Sequence, residues 1–133
     1  MGRGTWASSP TCSSNVYDPV GLLRETARVC GTVVLEIQLE ANVSARRAAK
    51  RRHAEEIGHL HAFSRTSARG LVARAGLELL GELTDPLGRD VHRWTSGTGR
   101  GDAKWLVRAA LHAASPALAA RLFTLHWTAA CRR

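Results

Sequence analysis

His59 and His61, one residue apart in Gly58-His59-Leu60-His61, are the imidazoles whose spacing could do chemistry. Alternate residues of a strand share a face, so a His-x-His pair could offer two nitrogens to a metal ion. No third ligand stands at a companion spacing, and Glu55 and Glu56 read as surface carboxylates. No metal is assigned. A second candidate is the basic run Arg46, Arg47, Lys50 and Arg51, which falls within one arc of a helix read from ARRAAKRRHAEEI with Ser44 as its cap. Such a face could meet nucleic acid or an acidic substrate. No aromatic residue interleaves it to stack on bases, and Glu55 and Glu56 dilute its field, so a solvated helix face is preferred. Gly2 and Gly4 form a G-x-G with no strand before it, and the glycines of Thr95–Gly101 lack the G-K-[S/T] ending of a phosphate loop.

The elements that must carry these residues are organised around Asp18–Gln38. Asp18 caps a helix with Pro19 at its first position, and Val20, Leu23, Ala27 and Cys30 form its apolar stripe. Gly31 is expected to end it in the left-handed conformation. TVVLEI then reads as a strand buried on both faces, which needs a parallel neighbour upstream. Met1–Asn15 is read as an irregular leader. Ser64 caps a helix over RTSARGLVARA, Gly76 stops it, LELLGEL is a strand, and TDPLG is a turn. Arg89–Trp94 is a strand extension or a short lip over a cleft, and Thr95–Gly101 is a flexible loop. Asp102 caps the next helix, with Lys104, Arg108 and His112 as an outward polar stripe and Trp105, Leu106 and Ala109 inward. Ser115-Pro116 starts a short helix. In FTLHWTAAC, Phe123, Leu125, Trp127, Ala129 and Cys131 alternate with Thr124, His126, Thr128 and Ala130, the pattern of a half-buried antiparallel strand.

A length of 133 residues, 44% hydrophobic and 23% charged, fits one modest globular core. The formal charge of +8 favours anionic contacts without specifying one. Cys12, Cys30 and Cys131 show no paired short spacing, which agrees with reduced thiols and a cytoplasmic location. No run approaches a membrane span, and no secretory signal or myristoylation pattern is present.

The run N-V-Y-D-P-V-G-L-L-R-E-T-A-R-V-C-G-T-V-V-L-E resembles the helix and fifth strand of class I S-adenosylmethionine-dependent methyltransferases. The likeness continues through G-H-L-H-A-F-S-R-T-S-A-R-G-L-V-A-R-A-G-L, the family's next helix, and L-E-L-L-G-E-L-T-D-P-L, its sixth strand. It covers Val16 to about Arg132. The family's Gly-rich first turn and the acidic residue ending its second strand are absent, and Ser14 and Asn15 stand where an acidic residue and a histidine usually close the fourth strand.

The resemblance implies an α/β fold, a partial Rossmann-like sheet of the family's last three strands with flanking helices. Its final strand is antiparallel and inserted between the fifth and sixth. Residues 16–133 would be the C-terminal portion of a methyltransferase-like domain, with one sheet edge left open. The implied parent activity is methyl transfer from S-adenosylmethionine to a small-molecule, lipid or glycan acceptor, the chain being incomplete or inactive alone. His59 takes the family position that faces the acceptor and would orient it or accept its proton, whereas a loop-anchoring histidine bonded to backbone is the plainer alternative. No cofactor-binding residue is assigned. The rival functions are a small basic nucleic-acid-binding module and a non-catalytic interaction fragment, pairing its edge with itself or with a separate cofactor half.

Overall fold

The computed structural model describes the backbone of residues 6–9 and all of residues 15–133. Its elements are β1 (Trp6–Ser9), α1 (Pro19–Val29), β2 (Thr32–Leu39), α2 (Ala48–Glu56), α3 (Arg65–Arg74), β3 (Glu78–Pro86), α4 (Arg89–Ser96), α5 (Thr98–Ala114), α6 (Pro116–Leu122) and β4 (Leu125–Arg132). They build one four-stranded sheet in the order β1-β2-β4-β3. The final strand is antiparallel to both neighbours and lies between β2 and β3, with Ile37 and Thr84 on either side of Trp127.

The parallel neighbour that β2 requires is β1, paired from Trp6↔Thr32 to Ser9↔Leu35. It lies inside the stretch expected to be irregular. Four residues are too few to show a period, so the strand was visible only through its partner's need. Ser14, offered as the substitute for the family's acidic residue, lies outside the described residues.

Asp18 Oδ1 accepts from the Gly21 amide at 2.8 Å and starts α1, which buries Leu23 and Ala27. The helix stops at extended Cys30, and Gly31 is not among the described glycines of positive φ, so a left-handed stop there is corrected. Gly76, at φ 78°, does end α3 in that way. Ser64 and Ser67 form a reciprocal cap at the start of α3.

β2 is not buried on both faces. Val33, Leu35, Ile37 and Leu39 are buried while the alternate residues are half-exposed. Leu125, Trp127, Ala129 and Cys131 continue the buried face, and Leu23, Ala27, Ala68, Leu71, Val72 and Ala119 from α1, α3 and α6 cover it. The apolar faces of these helices therefore converge on one side of the sheet. Trp127, fully buried, is its largest member, and its indole N–H donates to Glu82 Oε2 at 2.7 Å. Glu82 also accepts from Arg65 and Arg69, so its carboxylate is neutralised where it stands.

Five further expectations are corrected. β3 runs on through the expected turn to Pro86, because Thr84, Asp85 and Pro86 stay paired with β4. Arg89–Trp94 is helical, and the expected loop is the break between α4 and α5, made by Gly97 at φ 79°. Asp102 is not a cap: it sits inside α5 and receives two bonds each from Arg89 and Arg93 of α4. Leu106 and Val107 are exposed, while Arg108 and His112 turn inward, Arg108 over the Phe123 ring and His112 to Thr84. Among the described residues no helix is long and apolar enough to cross a membrane.

Candidate active site

Ligands of open α/β sheets settle where parallel strands end, because the chain turns away there and leaves a crevice. At the carboxyl end of β2 the next residues are Glu40, Ala41 and Asn42, and all three line a cavity of about 490 Å³. Its opposite wall comes from α2 and the segment carrying His59, Leu60 and His61.

Asn42 shapes the turn. Its side-chain amide donates to the Leu39 carbonyl at 2.8 Å and to Thr124 Oγ1 at 3.3 Å, and its oxygen accepts from Ser44 Oγ and the Ala45 amide. Ser44 is thereby buried in the turn and does not cap α2. A short 3-10 turn, Ser44–Arg46, precedes an extended Arg47, and α2 begins at Ala48 without a side-chain cap.

The turn holds Glu40 against His59, with Oε2 and Nδ1 2.7 Å apart and side chains 22% and 13% exposed. The partner of His59 is thus a carboxylate, where the plainer alternative has it bonded to backbone. It is His61 that makes the backbone contact, its Nε2 standing 2.9 Å from the Val16 carbonyl. The two imidazoles lie in irregular chain, not on a strand, and each is engaged separately. Among the described residues no group of three metal-ligating side chains stands together. A carboxylate on Nδ1 favours the tautomer with hydrogen there, which leaves Nε2 as the lone-pair nitrogen, the arrangement of an oriented base.

No protein-family description matches the sequence, and no curated protein matches it. Among solved structures, the fold is similar to that of a putative methyltransferase from Bacillus halodurans C-125, with a TM-score of 0.52 and 13% identity. The fold is methyltransferase-like. The match takes in 96% of this chain and 63% of that one, so the chain spans less than two thirds of its neighbour.

Sequence reasoning chose His59 and missed Glu40. A carboxylate placed directly after a parallel strand was the available signal. Arg46, Lys50 and Arg51 of the basic run line the same cavity, so the run is not only a solvated face.

A sulfonium nucleoside needs close backbone approach at a glycine turn and a carboxylate for its ribose hydroxyls. In the described cavity the one lining carboxylate, Glu40, is engaged by His59, and no glycine lines the wall. These residues do not fit S-adenosylmethionine by themselves.

Proposed function

We propose that the chain belongs to a class I S-adenosylmethionine-dependent methyltransferase domain and supplies the acceptor side of it. The parent activity is methyl transfer to a small-molecule acceptor lying over the carboxyl end of β2. The observation that carries the reading is the His59–Glu40 pair facing a cavity at that strand end, in a sheet similar to a methyltransferase's. His59 Nε2 takes the proton that an acceptor hydroxyl or amine must lose, Glu40 holds the ring and balances its charge, and the cavity wall positions the nucleophile. A cytoplasmic location goes with this reading.

The second reading, a non-catalytic interaction fragment, is favoured by β1. It is an edge strand, and among the described residues nothing pairs with its outer side. Thermal unfolding of the chain with and without excess S-adenosylmethionine tests whether it holds the donor by itself. Ligand that binds the folded state raises the midpoint, by about 2.7 kcal/mol of stabilisation at a hundredfold excess over its Kd. A raised midpoint gives the chain a donor site of its own. An unchanged midpoint in a cooperative transition removes autonomous transfer and leaves the fragment, with a partner at the edge of β1 holding the donor.

A further inference from the structure

The cavity at the end of β2 has a charge pattern that a proton acceptor alone does not explain. Arg46, Lys50 and Arg51 line it, while the one carboxylate in its wall, Glu40, is already committed to His59. The rest of the wall is largely apolar, including Ala45, Ile57 and Leu60. α2 buries none of its own residues, so packing into a core does not account for its orientation.

The positive field continues behind the wall. Arg108 of α5 lies 4.8 Å over the ring of Phe123, the neighbour of cavity-lining Thr124. Lys50 is exposed by area, yet the protein around it displaces enough water to push its ammonium below its ordinary pKa, and Arg108, Arg47 and Lys104 push the same way against Glu40 alone. His92 of α4, 4% exposed and with Nε2 unpartnered among the described residues, is likewise lowered, by burial first and then by Arg108, Lys104 and Lys50. Like charges crowded in a partly desolvated place repel, and a bound anion relieves that repulsion. A cavity of about 490 Å³ is of the size that takes a small molecule.

We propose that this cavity takes a small amphipathic anion, a phosphate or carboxylate group on a short apolar body, with Arg46, Lys50 and Arg51 meeting the charge and Ile57 and Leu60 the body. This names the acceptor class for the site proposed above, the same body also carrying the hydroxyl or amine whose proton His59 would take, and it rests on that reading only for the reaction at His59. The binding itself does not depend on a methyl donor.

The test is calorimetric titration of the full chain with hexyl phosphate, inorganic phosphate and hexanol. Hexyl phosphate is expected to bind saturably and at least tenfold tighter than inorganic phosphate, with hexanol weakest. K50M and R46Q should each weaken it threefold or more, and a cooperative unfolding transition for either one is enough to make the comparison. R52Q removes the same charge from the same helix at a residue that does not line the cavity, and should leave the affinity unchanged. Equal weakening by R52Q and K50M would overturn the proposal in favour of a diffuse positive surface, as would hexyl phosphate binding no tighter than phosphate. Hexyl phosphate binding that depends on Lys50, in a chain indifferent to S-adenosylmethionine, supports this inference while removing autonomous transfer. The converse result, a response to S-adenosylmethionine without Lys50-dependent anion binding, overturns this inference alone.

Discussion

The Glu40 carboxylate and the His59 imidazole meet at 2.7 Å across nineteen residues of chain, one at the end of β2 and the other after α2. A carboxylate at that distance favours hydrogen on Nδ1, with Nε2 as the lone-pair nitrogen. Long-range proton–nitrogen spectra at alkaline pH should show that tautomer for His59, and E40Q should erode the preference. A wild-type ring protonated on Nε2 would remove His59 as a base. Where an acceptor must be deprotonated, H59A should slow transfer by ~10²–10⁴-fold, the usual worth of a positioned base.

Gly101 is where α4 and α5 close on one another. A Cβ there would stand 2.5 Å from the His92 carbonyl oxygen and 2.6 Å from Arg93 Cα. G101A should therefore force the helices apart, at about 1–3 kcal/mol by urea unfolding. Gly99, two residues earlier in the same helix, has open space at its Cβ position. G99A should be neutral or slightly stabilising, since alanine is the better helix former. Equal losses for both variants would count against the close approach.

Glu82 sets an acid limit on stability. Its pKa is lowered to about 2, chiefly by the hydrogen bond from Arg69, with Arg65 and the Trp127 indole adding to it against burial. A folded value below the unfolded one means that this stabilisation is fully present above about pH 4.3 and is lost as pH falls towards 2. Asp102, held well below the usual carboxylate range by Arg89 and Arg93, acts in the same direction. E82Q should cost about 1–3 kcal/mol at neutral pH and flatten the acid limb of the stability curve. An unchanged slope between pH 5 and 2 would show that the Arg65–Arg69–Trp127 cluster is not formed.

The thiols of Cys30 and Cys131 should separate kinetically. Cys131 is fully buried in the sheet core, and burial pushes its pKa up to about 11, whereas Cys30 is half-buried at the end of α1. Under native conditions iodoacetamide should label Cys30 at least tenfold faster, as read by peptide mass spectrometry, because the thiolate is the reactive species. Comparable rates would mean that β4 opens readily.

Local chemistry alone carried several elements. The Asp18-Pro19 and Ser115-Pro116 starts, the Ser64 cap and the Gly76 stop depend on hydrogen bonds spanning three or four residues, so their residues name them without a fold. The period-two run of β4 was legible for the same reason, and the family likeness supplied its place between β2 and β3. What the sequence could not declare depends on distant partners. Trp6–Ser9 is a strand because Thr32–Leu35 is there to pair with it. The glycines of Thr95–Gly101 looked like a loop, yet Gly101 is the close contact of two helices. Asp102 looked like a cap and is the acceptor for Arg89 and Arg93 on a neighbouring helix. His59 stood out by type and position, but its partner did not, since Glu40 gains its meaning only when the turn at Asn42 folds it against that ring. Caps and periods are short-range and survive in the bare sequence; the carboxylate beside the imidazole and the cations around the cavity are long-range neighbours, and only the packed chain brings them together.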